Sequence, residues 1–354
     1  MAEIKISCPH CGQLLQCDER HRDKKIRCPH CQHLILDTQM PNAQAKPAKR
    51  RGARRKLMAT AFVLLAAIVV ARVWIVPPES IHWPDRRPIG VLFLASNFHS
   101  SPTNPRGWFN DPSLDVTGTN GMEHFRKALL DYTDRSIAIL KRTGAQGVIV
   151  WDLEGEEFPH KTTYIGDPCL LDRLAPEMAA VADEFFRRLR NAGLRVGLTV
   201  RPQRLVFDDK GQPRQTQVVD TKRTLLEKID YARARWGATI FFVDSNGGIR
   251  RPDEVWQLRR LAEQRPDILL IPEHNYLPYS AFSAPYVALH KGVPAETEGL
   301  ARKLFPESFR VLDIGDASSD TIAIARQQGD VLLFHAWYWN NDCQLLEDYT
   351  HGQQ

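Results

Sequence analysis

Two carboxyl groups follow apolar segments that are typical of buried strands. Asp244 comes directly after the run FFV, and Glu273 comes directly after the run ILLIP. Hydrolysis of a glycosidic bond needs such a pair. One protonated carboxyl donates to the leaving oxygen, and one ionised carboxylate attacks the anomeric carbon or activates a water. We therefore predict Asp244 and Glu273 as the catalytic pair, with a structural alternative for each: Asp244 capping a turn, and Glu273 paired with an arginine.

Further polar and aromatic residues lie at the ends of other predicted strands or in the long loop after the first one. Their chemistry suits sugar hydroxyls and ring faces, and flat indole rings stack on pyranose rings. The predicted substrate-binding residues are Asp152, Glu154, Arg201, Asp313, Asp316, His335, Trp337 and Trp108. The structural alternatives are hydrogen bonds to the loop after the second strand for Asp152 and Glu154, a hydrogen-bonded interior position for His335, and packing of the barrel mouth for Trp337.

Eight β-rich apolar segments alternate with amphipathic segments from residue 88 onward. The predicted strands are Ile89–Ala95, Gly147–Leu153, Arg195–Arg201, Thr239–Asp244, Ile268–Pro272, Tyr286–Leu289, Arg310–Ile314 and Val331–His335. The predicted helices include Met122–Arg142, Pro176–Asn191, Thr221–Trp236 and Asp253–Gln264. This count predicts an α/β fold, a (β/α)8 TIM barrel whose chemistry lies at the carboxyl ends of the strands. A doubly wound sheet is the second choice, because no Gly-rich phosphate turn follows the first strand.

Residues 88–340 resemble TIM-barrel glycoside hydrolases in this architecture and in the residues at the ends of the predicted strands. In the α-amylase-like group, the resemblance implies that Asp244 is the nucleophile and Glu273 the acid/base. Asp313 or Asp316 would be the supporting acid. That group has an arginine two residues before its nucleophile, where this chain has Phe242, and Arg201 is the candidate replacement.

The N-terminal residues 1–40 contain two identical CPHC units, which supply Cys8, Cys11, Cys28 and Cys31. Four thiolates at this spacing suit a tetrahedral Zn²⁺, and so short a segment needs such a staple to fold. Residues 4–37 resemble the short zinc-ribbon modules of bacterial N-termini. We expect a structural zinc, because a closed four-cysteine site leaves no open position, and we expect no cofactor in the barrel.

The net charge of +5 is unevenly distributed. Residues 41–56 carry seven positive charges and no negative ones, and the apolar segment 57–76 follows directly. Twenty residues span about 30 Å as a helix, the thickness of a bilayer core. This pattern predicts a basic disordered linker (41–56), one transmembrane helix (57–76) and an outer domain (77–354), and it disfavours nucleic acid as the partner.

The positive-inside rule places the N-terminus in the cytoplasm. We therefore predict a single-pass protein of the bacterial inner membrane, with the C-terminal domain in the periplasm or outside the cell. The partner of the cytoplasmic ribbon is not readable from the sequence. Cys169 and Cys343 lie in loops of the outer domain and are candidates for a disulfide.

The leading functional hypothesis is a membrane-anchored enzyme that hydrolyses glycosidic bonds. A non-catalytic glycan receptor coupled to the cytoplasmic ribbon is the alternative. A metal-dependent hydrolase of the amidohydrolase type is a third, but it needs a His-x-His pair after the first strand, where Asn97-Phe98-His99 supplies one imidazole.

The zinc hypothesis predicts one zinc per full-length chain, and none after removal of residues 1–56. Inductively coupled plasma mass spectrometry measures both. Zinc that stays with the shortened chain would contradict the assignment and would favour the metal-dependent hydrolase.

Overall fold

The protein is described by a computed structural model that forms two compact units, Met1–Val69 and Val70–Gln354. The described residues are 3–7, 14–18, 26–29, 31–32, 34–35, 81–95, 100–155, 166–209, 211, 213–288, 295–315 and 318–336. The predicted linker 41–56 and the predicted transmembrane helix 57–76 lie outside these residues. Within the described ranges, no helix is both long and apolar enough to cross a membrane.

The first unit contains two antiparallel strand pairs. Strand β1 (Glu3–Ser7) pairs with β2 (Leu14–Asp18), and β3 (Ile26–Arg27) pairs with β4 (Leu34–Ile35). Between β3 and β4, the backbone N–H of Gln32 donates to the carbonyl of Cys28 over 2.8 Å and closes a turn. Cys28 is buried at this turn, and Cys31 is half-buried.

The described residues include only part of the predicted zinc site. Cys28 and Cys31 lie in one turn, which suits two thiolate ligands of one ion. Cys8 and Cys11 lie outside the described residues. Among the residues that are described, no group of three or more His, Cys, Asp or Glu side chains is arranged to hold a metal ion. The zinc site therefore stays a prediction.

The second unit is an eight-stranded parallel barrel, as the sequence predicts. The strands are β5 (Ile89–Leu92), β6 (Gly147–Val150), β7 (Arg195–Val200), β10 (Ile240–Val243), β11 (Leu269–Pro272), β12 (Tyr286–Ala288), β13 (Val311–Asp313) and β14 (Val331–His335). They are hydrogen-bonded in the order β11-β10-β7-β6-β5-β14-β13-β12. Between the two ends of this order, the N–H of Ala284 donates to the carbonyl of Leu270 over 3.0 Å. This bond bridges the seam of a nearly closed (β/α)8 barrel.

The helices surround the strands. They are α1 (Gly118–Arg142), α2 (Leu171–Leu174), α3 (Pro176–Ala179), α4 (Ala182–Asn191), α5 (Thr221–Trp236), α6 (Pro252–Gln264), α7 (Ala295–Leu304) and α8 (Ser319–Gln327). The predicted helix Pro176–Asn191 is two helices, because Val181 leaves the helical range with φ −124°. A hairpin of β8 (Arg204–Phe207) and β9 (Pro213–Thr216) was not predicted. Residues 204–207 and 214–216 are exposed or half-buried, so the hairpin lacks the apolar signal of the barrel strands.

Side-chain alternation along the strands separates two hydrophobic regions. One region fills the barrel, with inward residues that include Ile89, Ile149, Ile240, Leu269 and Val331. The other lies between the strands and the helices, with residues such as Phe125, Phe185, Leu225, Leu258 and Phe334. Successive side chains of a strand point to opposite faces, so every second residue of each barrel strand points inward.

Trp83 closes the barrel at the amino ends of its strands. Its indole packs against the interior residues and is 7% exposed. The indole N–H donates to Oε1 of Gln146 over 2.9 Å, and the guanidinium of Arg195 stacks on the ring. Because this end is plugged, the accessible end of the barrel is the one at the carboxyl ends of the strands.

The Trp83→Ala substitution should lower the free energy of unfolding by about 3–5 kcal/mol, since it opens a cavity and removes one of the hydrogen bonds to Oε1 of Gln146. Urea unfolding of the full-length chain measures the loss. The control is Trp256→Ala on α6, where the ring is 54% exposed and the expected change is under about 0.5 kcal/mol. Equal effects of the two substitutions would contradict the plug.

Candidate active site at the barrel mouth

The register of three neighbouring strands places the predicted catalytic residues side by side. Val200 of β7 pairs with Val243 of β10, and Val243 pairs with Pro272 of β11. The residue that follows each strand is therefore Arg201, Asp244 or Glu273. These three side chains continue the inward alternation of their strands and form one row at the mouth of the barrel.

Arg201 and Asp244 form a buried ion pair. Nε of Arg201 lies 2.5 Å from Oδ2 of Asp244, and the two side chains are 4% and 10% exposed. A second hydrogen bond to the same oxygen comes from the hydroxyl of Ser245 over 3.3 Å. Both bonds fall on Oδ2, so the carboxylate is held in one orientation.

Ser245 links Asp244 to Glu273. It has φ +54°, in the left-handed region that costs a non-glycine residue free energy. In this conformation its N–H donates to Oε2 of Glu273 over 2.8 Å, and its carbonyl accepts from Nε2 of Gln203 over 2.9 Å. The strained residue thus positions a second, half-buried carboxyl beside the first.

Aromatic rings line the inner wall next to these acids. The ring centroids of Phe93 and Trp151 are 5.3 Å apart, and those of Phe93 and His335 are 5.4 Å apart. Phe242 packs below Trp151 at 4.6 Å and is buried, whereas the three upper rings are half-buried. The mouth therefore offers aromatic surface to a ligand above a closed apolar interior.

Asp313 lies at the mouth on the far side of the barrel. Its Oδ2 accepts from the hydroxyl of Tyr286 over 2.7 Å, and its Oδ1 accepts from the N–H of Gly315 over 3.0 Å. Burial and the charge of Asp313 raise the pKa of Tyr286 well above its ordinary value, so the phenol keeps its proton and remains a donor.

The structure does not bring Asp152 or Trp108 to this group. Asp152 points away from the interior, is 1% exposed, and accepts from the N–H groups of Leu94 and Ala95, each over 2.8 Å. Trp108 is fully buried, and its indole N–H donates to Oε1 of Glu177 over 2.7 Å. Asp152 thus bonds the segment after β5 and not the loop that follows its own strand, and Trp108 has no exposed face on which a sugar could stack.

Glu154 lies in a separate buried cluster behind the mouth. It is 1% exposed and accepts from the N–H of Gly166 over 3.2 Å. Burial, reinforced by the negative charge of Asp167, raises its pKa to about 8. Asp167 is ion-paired with Lys228, with Nζ and Oδ2 3.3 Å apart. Glu154 is therefore protonated at neutral pH. Burial also raises the pKa of Asp167 and lowers that of Lys228, so both shifts oppose the charged forms of the neighbouring pair.

Sequence reasoning missed Lys228 and Gln203. Lys228 lies on the buried face of α5, three residues after Leu225 and four before Ala232. A charged residue within an apolar helical stripe is the signal that could have found it. Gln203 has no comparable pattern.

Several predicted residues fall outside the described part of the chain. These are Asp316, Trp337 and Cys343. Cys169 is described and exposed, and its Sγ lies 3.8 Å from the carbonyl of Glu227.

No family model and no curated protein match the sequence. Among solved structures, the chain is similar to a pullulanase from Anoxybacillus sp. LM18-11, with 14% identity over 42% of this chain and 29% of that one, and a TM-score of 0.29. The chain thus spans less than a third of the pullulanase. An α-amylase from Geobacillus thermoleovorans, solved with acarbose, has 9% identity over 77% of this chain and 78% of that one, with a TM-score of 0.42. An α-fucosidase from Thermotoga maritima has 12% identity over 80% and 76%, with a TM-score of 0.40.

The pKa of Glu154 predicts a pH dependence of stability. The unfolded carboxyl titrates near its model value of 4.5 and the folded one at about 8, so between these values the folded state holds one proton more. The contribution of Glu154 to the free energy of unfolding should therefore fall with rising pH, by about 1.4 kcal/mol per unit in that window.

Glu154→Gln removes this titration. The unfolding free energy of the variant minus that of the wild type should increase steadily from pH 5 to pH 8 in urea titrations. The same substitution at Glu123, which is exposed on α1, serves as the control and should give no such rise. A flat difference for Glu154→Gln would show that this carboxyl is not buried as described.

Proposed function

We propose that this protein is a carbohydrate-active enzyme that hydrolyses glycosidic bonds at the barrel mouth. The observation that carries the proposal is the link from Asp244 through the N–H of Ser245 to Glu273. It fixes two carboxyl groups of neighbouring strands side by side at the only unplugged end of the described barrel. Two such carboxyls are the minimum that glycoside hydrolysis requires.

The two acids differ in their surroundings, and this difference supports separate roles for them. Asp244 is paired with the guanidinium of Arg201, an arrangement that suits the group acting as an anion, either on the anomeric carbon or on a water. Glu273 is half-buried and accepts one backbone hydrogen bond. It can exchange protons with solvent and give one to the leaving oxygen as the glycosidic C–O bond breaks. Water supplies the hydroxyl group that ends on the anomeric carbon.

The remaining groups at the mouth suit a sugar ring. Trp151 and Phe93 offer half-buried ring faces, while Asp313 and His335, whose ring packs against Phe93, can meet sugar hydroxyls. Arg201 acts as a positioning residue for Asp244. In the α-amylase-like group an arginine two residues before the nucleophile occupies the position that is Phe242 here, and Arg201 replaces it. The buried ring of Phe242 instead forms part of the floor.

We further propose that the chain is anchored in the bacterial inner membrane by residues 57–76 and carries a structural zinc on Cys8, Cys11, Cys28 and Cys31. Both proposals rest on the sequence: the basic run beside an apolar segment of bilayer length, and the paired CPHC units. They place the carbohydrate substrate on the periplasmic or outer side and an unidentified partner of the ribbon in the cytoplasm.

A glycan receptor without turnover is the second candidate. The ion pair favours a receptor, because Arg201 neutralises Asp244 and the side chain of Asp244 is only 10% exposed. Such a site would bind oligosaccharide but would not cleave it.

In the full-length chain, assayed on a panel of aryl glycosides, Asp244→Asn should lower kcat by at least about 100-fold on every substrate that the wild type cleaves. Glu273→Gln should lower kcat similarly on poor leaving groups and much less on dinitrophenyl glycosides, because these leave without a proton. Asp131→Asn, an exposed change on α1, is the control and should leave kcat unchanged.

Thermal melts of each variant separate loss of catalysis from loss of folding. Full activity of folded Asp244→Asn would contradict its role. Tight oligosaccharide binding by a wild type that cleaves nothing would establish the receptor instead.

A further inference from the structure

Lys228 reaches from helix α5 into the backbone behind the mouth. Its ammonium group donates to three carbonyl oxygens: those of Gly166 over 3.0 Å, of Arg201 over 2.8 Å and of Gln203 over 2.8 Å. An ammonium has three N–H donors, and here each has a backbone acceptor. The side chain is 3% exposed, and Asp167 at 3.3 Å balances its charge.

Two of these carbonyls belong to the residues that hold the site together. The side chain of Arg201 orients Asp244, and the side chain of Gln203 holds the carbonyl of Ser245. The carbonyl of Gly166 also accepts from the N–H of Arg201 over 3.0 Å. The backbone from 201 to 203 therefore has few ways to move while Lys228 is in place.

We propose that Lys228 is a positioning residue for the active site, which it serves by fixing the backbone that carries Arg201 and Gln203. The effect passes to Asp244 through the ion pair and to Glu273 through Ser245. The expected effect of Lys228 on kcat rests on the proposed function. Its effect on the position of Arg201 does not depend on any substrate.

The burial of this charge indicates a role beyond stability. A buried ion pair is often no better for stability than apolar side chains of the same volume, because desolvation offsets the attraction. An apolar side chain at 228 could fill the space but could not gather three carbonyls at one point.

The test uses the full-length double variant Lys228→Met/Asp167→Asn, which removes both charges and leaves no unpaired ion. Its matched control is Arg310→Met/Asp330→Asn. That pair is also buried, with Nη2 and Oδ2 2.6 Å apart, but lies before β13 and β14 at the opposite end of the barrel. Asp330 also lies 3.4 Å from Arg302, whose side chain is 33% exposed and can turn to solvent. The two double variants should lose similar thermal stability.

On an aryl glycoside that the wild type cleaves, the 228/167 variant should lose about 10- to 100-fold in kcat with little change in KM, since misplacement of catalytic groups affects the reacting geometry more than binding. The 310/330 variant should keep kcat within about two-fold, because its substitutions lie far from the mouth. A 228/167 variant that keeps the wild-type kcat, or a control that loses as much, overturns the proposal.

Hydrogen exchange at the Nε–H of Arg201 supplies the second measurement. In chains labelled with [¹⁵N]arginine, the signal is assigned by its loss in Arg201→Lys. Exchange should become at least about 10-fold faster in the 228/167 variant and stay unchanged in the control. The reason is that Lys228 restrains the backbone that carries Arg201, whereas Arg310 and Asp330 do not. Unchanged exchange overturns the proposal even if kcat falls. If the wild type cleaves no glycoside, the proposed function fails and the exchange alone decides whether Lys228 fixes Arg201.

Discussion

The ion pair between Arg201 and Asp244 is the interaction on which the site depends. It joins β7 to β10 where the backbone ladder ends, and it is almost fully withdrawn from solvent. Burying two charges requires a large desolvation free energy, which their close contact and further hydrogen bonds offset. Removal of one partner would leave a buried charge alone. The pair therefore contributes orientation more than stability, and Ser245 and Glu273 are positioned relative to it.

Two features of the barrel position this ion pair: the alternation of inward and outward side chains along each strand, and the close approach of β7 to β10. Below the mouth the inward side chains are mostly apolar, with Thr199 as a buried polar exception. At the mouth the same alternation places acids, an arginine and half-buried rings. Gly197 lies three residues before Val200 and pairs with Ile240, where a Cβ would meet the carbonyl oxygen of Ile240 at 2.5 Å. Glycine thus permits the close packing of β7 on β10 below the ion pair.

Much of this arrangement could be predicted, because it follows from periodicity. All eight strands lie within the predicted segments, and Asp244, Glu273, Arg201 and Asp313 reach the mouth because each ends an inward-facing row. The failures come from contacts between distant parts of the chain. Trp108 has the residue type of a sugar platform, but its indole is committed to Glu177, 69 residues away. Likewise, Asp152 accepts from backbone amides of the segment that follows β5, and Lys228 acts through carbonyls of two loops. No local pattern reports such partners.

The central claim is that the mouth adds water across a glycosidic bond at the anomeric carbon. Hydrolysis of an aryl glycoside by the full-length chain in H₂¹⁸O, followed by mass spectrometry of both products, tests it most directly. The account predicts one ¹⁸O on the anomeric carbon of the released sugar and none in the phenol. Label in the phenol would place the cleavage on the other C–O bond, and an absence of turnover across glycosides of all common sugars would contradict the account.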